Sequence, residues 1–270
     1  MNKIDAYKMD GLGNDFIIFD QRKDSLSLTK NQIIKIADRS FFGCDQVIFI
    51  NKDQNNDAYL TFYNSDGGEV GACGNGSRCV AYLLMKERKK SNISLKTKNR
   101  ILKAELINNL VRINMGSAIF NWDKIPLSKK MDNKNLKIKI NNENKVGFAL
   151  NVGNPHVIFF VNNLEQYHLE KIGPDLENHE YFPEKCNVTF ANVQDNKHIK
   201  VKVWERGTGL TKACGTAACA TAVAAFSLKL TNRLVDIEFD EGNLNIEWSL
   251  DNNIYMTGKV SEIKKIVINI

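Results

Sequence analysis

Short apolar runs rich in β-branched and aromatic residues recur along the chain at 17–19, 47–50, 59–63, 157–161 and 200–204. Each is bounded by polar or glycine positions, a pattern that predicts strands. Later in each half, the stretches 101–115 and 235–256 predict paired strands joined by polar turns, with Asp251-Asn252-Asn253 as one such turn. Two segments, 76–85 and 216–228, break this pattern because they are apolar or small nearly all round. They predict helices enclosed by protein instead of lying on its surface.

The elements recur at a nearly constant offset, the signature of an internal repeat. Gly13-Asn14-Asp15-Phe16 returns as Gly153-Asn154-Pro155-His156, with 153 − 13 = 140. Gln46 falls against Asn187, Asn64 against Glu205 and Cys73-Gly74 against Cys214-Gly215, each pair 141 apart (187 − 46, 205 − 64, 214 − 73). Four landmarks in one order with a drift of one residue predict a duplicated domain. The expected fold class is mixed α/β (α+β): two pseudo-symmetric lobes, each a curved, mostly antiparallel sheet around a central helix. The first lobe is expected over 1–118, with 258–270 returning to it, and the second over 119–257. The connecting stretch falls in the Lys- and Asn-rich region 117–144.

Composition narrows the function classes. A chain of 270 residues with 43% hydrophobic content can fill a core in each lobe. The net charge of +6, from 37 Lys and Arg against 31 Asp and Glu, is spread without a basic stripe, so no nucleic-acid partner is expected. The dense run at 86–90 reads as a solvated helix end. The first ten residues lack the apolar stretch of a secretory signal, and no segment reaches the length of a membrane span, so a cytoplasmic protein is expected. Six cysteines in such a protein should remain thiols.

Two of those thiols carry the chemistry. Cys73 and Cys214 stand where the enclosed helices begin, and a helix N-terminus favours a thiolate. The amides of Gly74, Asn75, Gly215 and Thr216 follow them and can hold a carboxylate. Two such starts acting on one substrate would bind a carboxylate and offer one sulfur to each face of the attached carbon. Racemisation demands this, because a base removes the α-proton from one face and an acid returns a proton to the other. Zinc is disfavoured: Cys73 and Cys79 are six apart and Cys214 and Cys219 five apart, so on a helix neither pair converges. Cys44, Cys79, Cys186 and Cys219 are read as packing residues.

Gly11-Leu12-Gly13-Asn14-Asp15-Phe16, Asn64-Ser65-Asp66-Gly67, Cys73-Gly74-Asn75-Gly76-Ser77-Arg78, Gly153-Asn154-Pro155-His156, Glu205-Arg206-Gly207-Thr208-Gly209 and Ala213-Cys214-Gly215-Thr216 together resemble the diaminopimelate epimerase family over nearly the whole chain. The resemblance implies interconversion of LL- and meso-2,6-diaminopimelate in lysine and peptidoglycan synthesis, without pyridoxal phosphate or metal. It also implies a homodimer and a site between two lobes. Residue by residue, it implies Cys73 and Cys214 as the acid–base pair with His156 and Glu205 supporting them. Asn14, Gln46, Asn64, Asn154, Asn187 and Arg206 are implied to hold the substrate, a guanidinium being suited to a distal carboxylate.

Three positions depart from the family pattern: 40–44 is less glycine-rich, Leu210 replaces a common Glu, and Ala217 replaces a common Gly. Proline and hydroxyproline racemases are the nearest rival reading, but they commonly carry His at the position of Asn75 and lack the Glu205-Arg206-Gly207 context. An inactive amino-acid-binding homologue is the rival from another class, and retention of both cysteines argues against it.

Overall fold

In the computed structural model, which describes residues 3–269, the β-branched runs become strands and both small-residue segments become helices. The outermost positions of the expected lobes, 1, 2 and 270, lie outside the described residues. The chain divides into two compact units, Met1–Asn114 with Thr257–Ile270, and Met115–Met256.

The first unit contains β1 (Lys3–Gly11), β2 (Asn14–Asp20), α1 (Lys30–Ala37), β3 (Gln46–Asn51), β4 (Ala58–Asn64), β5 (Glu69–Val70), α2 (Gly74–Arg88), β6 (Asn92–Lys96) and β7 (Ile101–Ile107), and β8 (Leu110–Ser117) leads out of it. The second holds β9 (Leu136–Ile140), β10 (Glu143–Asn151), β11 (Pro155–Phe160), α3 (Leu169–Glu177), β12 (Asn187–Val193), β13 (His198–Glu205), β14 (Gly209–Thr211), α4 (Gly215–Ser227), β15 (Leu234–Phe239) and β16 (Gly242–Trp248), and β17 (Asn253–Gly258) leads from it back into the first. A final strand, β18 (Lys264–Asn269), belongs to the first unit and pairs antiparallel with β1. The fold is mixed α+β, as the periodicity predicts.

The two units repeat one pairing scheme. β1–β2 is antiparallel, β2–β3 parallel, β3–β4 antiparallel and β4–β6 parallel. β10–β11, β11–β12, β12–β13 and β13–β15 follow the same sequence of directions. Register repeats as well: Phe16 lies opposite Gln46, and His156 lies opposite Asn187. Each parallel pair needs a crossover, which α1 and α3 supply for β2–β3 and β11–β12 and α2 and α4 for β4–β6 and β13–β15. α1 opens on a capping box in which Thr29 and Gln32 satisfy each other's backbone amides. Asn108-Asn109 and Asn141-Asn142 take left-handed conformations at the tips of the β7–β8 and β9–β10 hairpins, which Asn tolerates better than most residues.

α2 and α4 are buried along most of their length. Both begin two residues or fewer before the predicted starts, because a cysteine caps each one and the glycine after it is already helical. Gly76 permits close packing of α2: a Cβ there would lie 2.7 Å from Ile48 Cδ1. Around α1, Ile17, Phe19, Ile33, Ile36, Val47 and Phe49 form one core. In the second unit, Val157, Phe159, Leu169, Leu176, Val188 and Phe190 form another.

Candidate active site

Both proposed sulfurs sit at helix N-caps in matching backbone geometry, Cys73 at φ −141° and ψ 119°, Cys214 at φ −131° and ψ 113°. The first intrahelical bonds are Ser77 N–H to Cys73 O at 2.9 Å and Ala218 N–H to Cys214 O at 3.0 Å. Helix geometry therefore points the earlier amides, those of Gly74, Asn75, Gly215 and Thr216, out of the N-terminal ends.

In the first unit, Cys73 Sγ accepts the Gly76 N–H at 3.4 Å and lies 3.8 Å from Asn14 Oδ1. Asn14 is oriented from behind, since its Nδ2 donates to Asp45 Oδ2 at 2.8 Å. The Asp15 amide donates to that same oxygen, the Asp45 amide donates to Asp15 Oδ1, and Arg39 bridges the two carboxylates. Hydrogen bonds and charge from Arg39 hold Asp15 below the usual carboxylate range against the opposing effect of burial. Gln46 Nε2 donates to Asn64 Oδ1 at 2.8 Å across β3 and β4. Asn75 is buried, and its Oδ1 accepts from the equally buried Arg78 at 3.0 Å.

In the second unit, a chain of polar contacts ends on Cys214. His156 Nε2 meets Asn154 Oδ1 at 2.9 Å, Asn154 Nδ2 donates to Thr216 Oγ1 at 3.4 Å, and Thr216 Oγ1 lies 3.4 Å from Cys214 Sγ. An amide oxygen can only accept, so Nε2 carries the histidine proton and Nδ1 is bare. Burial, with help from the Arg206 charge, depresses the His156 pKa to about 3 and keeps the ring neutral. Burial also drives the Cys214 thiol well above its ordinary value, and the Glu205 carboxylate beside it adds to the effect. Cys214 is therefore a protonated thiol here, against the expectation that a helix start alone would activate it.

Asn187 is buried with its carboxamide engaged by backbone: Nδ2 donates to Pro155 O at 2.9 Å and Oδ1 accepts the Arg206 N–H at 3.0 Å. It braces the Arg206 turn. The Arg206 guanidinium donates to Glu184 O at 3.1 Å. The other four cysteines are all fully buried, as the packing reading requires, and burial raises Cys44 to about 12. Among the described residues, no group of three or more His, Cys, Asp and Glu is arranged to hold a metal ion. No helix among them is long and apolar enough to cross a membrane.

The family model described as Diaminopimelate epimerase matches residues 6–121 and 148–263. The chain belongs to the diaminopimelate epimerase family. A protein of that name from Pelagibacter ubique (strain HTCC1062) is 56% identical over 272 residues, covering 99% of each chain. One from Phenylobacterium zucineum (strain HLK1) is 42% identical over 256 residues, covering 93% of this chain and 92% of its own. Solved structures extend the fold likeness more widely. A phenazine biosynthesis protein of the PhzF family from Bacillus anthracis has a TM-score of 0.71 at 17% identity, covering 100% of both chains. A hydroxyproline epimerase from Agrobacterium vitis, with bound trans-4-hydroxy-L-proline, has a TM-score of 0.67 at 11% identity, covering 99% of this chain and 93% of its own. At such identities the likeness concerns the fold alone.

The diaminopimelate epimerase match spans all fourteen candidate residues from Asn14 to Thr216. Departures from the family pattern leave them in place. Ala217 is fully buried in α4, Leu210 projects from β14, and the 40–44 loop is tied down by Lys8 Nζ on the carbonyls of Phe42 and Gly43. Sequence reading missed Asp45 and Arg39 behind Asn14, and Glu177, whose carboxylate supports the Arg206 turn. Asp45 sits next to Gln46 inside a repeated landmark, a signal that could have drawn attention to it. Glu177 carries no such mark.

Proposed function

We propose that this chain is an isomerase that interconverts LL- and meso-2,6-diaminopimelate, using Cys73 and Cys214 as its acid–base pair without pyridoxal phosphate or a metal. The observation that carries the reading is the repeated thiol: each unit starts its enclosed helix with a cysteine in the same extended conformation, followed by glycine. Membership in the family supports it over the whole chain.

The reaction needs one sulfur able to take the α-proton and another able to give one, and the roles exchange in reverse. Cys214, buried beside Glu205, holds its proton. Cys73 Sγ accepts the Gly76 amide and lies 3.8 Å from Asn14 Oδ1. On this scheme the two titrations are coupled. The helix-start amides of Gly74, Asn75, Gly215 and Thr216 hold the reacting carboxylate and stabilise the charge that builds up when the proton leaves. His156, kept neutral by burial, and the Glu205 carboxylate support the Cys214 side. Asn14, Gln46, Asn64, Asn154, Asn187 and Arg206 hold the substrate, with Arg206 and the asparagines suited to its distal amino-acid end. The same reading carries a homodimer working in the cytoplasm, in the synthesis of lysine and peptidoglycan.

Incubation with LL-diaminopimelate in deuterium oxide, followed by mass and stereochemical analysis, tests the proposal. The expected product is meso-diaminopimelate with one deuterium on the inverted α-carbon. In parallel incubations, exchange into proline or hydroxyproline but not diaminopimelate would move the chain to the racemase reading, and exchange into none of them would leave the binding-protein reading.

A further inference from the structure

The turn that carries Glu205 and Arg206 is held by a carboxylate from another element. Glu177 closes α3 and is 6% exposed. Its Oε2 accepts the Trp204 Nε1–H at 2.7 Å and its Oε1 accepts the Gly207 N–H at 3.0 Å. Lys185 Nζ lies 3.8 Å from Oε1, near enough to contribute charge. α3 is seated on the same strand, since Gly173 lies flat on the Trp204 indole and a Cβ there would meet Cδ2 at 2.4 Å.

The turn itself closes with Thr208 N–H on Glu205 O at 3.0 Å, and Gly207 takes φ +75° in it. Its two central amides are then gripped in succession by side-chain oxygens: Arg206 N–H by Asn187 and Gly207 N–H by Glu177. A carboxylate oxygen accepts, so at Glu177 the Gly207 N–H and the Trp204 Nε1–H each meet an acceptor. The chain direction at Arg206 follows from the two backbone bonds, to Asn187 and to Glu177.

We propose that Glu177 is a positioning residue for the Arg206 turn, and that through it the enzyme aims its guanidinium at the second carboxylate of the substrate. The inference rests on the proposed function for its substrate, and on the α3–turn geometry for the residue. Glu177 touches no reacting atom. Its loss should therefore weaken substrate binding more than the proton transfer itself.

Glu177→Gln is the direct test. A glutamine has one accepting oxygen and turns an NH2 group toward one of the two donors, so the turn loses a tether while volume is kept. The KM for LL-diaminopimelate should rise roughly tenfold, with kcat changed less than about threefold. In a ¹H–¹⁵N spectrum the Trp204 indole and Gly207 amide protons should both shift upfield. A second variant, Glu177→Met with Trp204→Phe, removes the carboxylate together with its partly buried indole donor and so avoids leaving either one orphaned. It should fold and show the same rise in KM. The proposal is overturned by an unchanged KM in a folded variant, by a fall in kcat as large as the rise in KM, or by failure of both variants to fold, which would make Glu177 purely structural. Native enzyme that does not act on diaminopimelate at all would instead reject the functional reading.

Discussion

Asp45 Oδ2 takes the Asn14 Nδ2–H at 2.8 Å and thereby turns Asn14 Oδ1 toward Cys73 Sγ, 3.8 Å away. A carboxylate cannot donate, so the amide has one allowed orientation and the sulfur always faces an acceptor. Asp45→Asn removes that constraint, since the new side chain can either donate or accept. We expect kcat to fall about tenfold, a barrier change near 1.4 kcal/mol, and the pH profile of kcat to broaden as Asn14 samples both orientations. Unchanged kcat and profile would show that Asn14 is oriented by other means.

Cys73→Ala and Cys214→Ala should each abolish epimerisation, with losses of at least 10²-fold, while circular dichroism stays native. Near-normal turnover of both stereoisomers by either variant would reject the two-thiol scheme. Cys79→Ala and Cys219→Ala should keep activity and lower stability by about 1 kcal/mol, read from the denaturation midpoint.

Arg206→Lys replaces a planar fork with a point charge and should weaken kcat/KM for diaminopimelate by an order of magnitude or more. The native enzyme should barely turn over lysine, which lacks the distal carboxylate. Comparable rates with lysine would count against a distal grip at Arg206.

His156 gives a stability signature in acid. Its folded pKa is depressed to about 3 from 6.5, so the unfolded chain takes up the proton first. The contribution is present above pH 6.5 and is lost as pH falls from there toward 3. At pH 5 the loss from this one group is about 2 kcal/mol. Urea midpoints measured from pH 7.5 to 5 should therefore fall more steeply for the native protein than for His156→Gln, and parallel slopes would contradict the buried neutral ring.

The duplication made most of the fold legible, because strand runs and enclosed helices recurred at one offset and each lobe vouched for the other. Pairing of Phe16 with Gln46 and of His156 with Asn187 is the structural form of that spacing. α3 was harder to see, since Gly173 and Pro174 interrupt it and its stability comes from seating on Trp204 instead of from helix propensity. At the site, the residues within motifs were readable. The carboxylates of Asp45 and Glu177 were not, because their roles depend on which amide lies across the fold. The protonation of Cys214 likewise follows from burial, which a helix start alone does not disclose.

The antiparallel pairing of β1 with β18 ties Ile4 to Ile268 and has a consequence for synthesis on the ribosome. The second unit is one continuous stretch, whereas the first needs a strand made after it. Residue 264 follows residue 114 by 150 positions (264 − 114), so at translation rates of about 5–20 residues per second the first unit waits roughly 8–30 s for its last strand. During that interval one edge of β1 has no partner and presents open backbone groups to any passing chain. Maturation thus runs against the order of translation, and the nascent first unit is the part with most need of a chaperone.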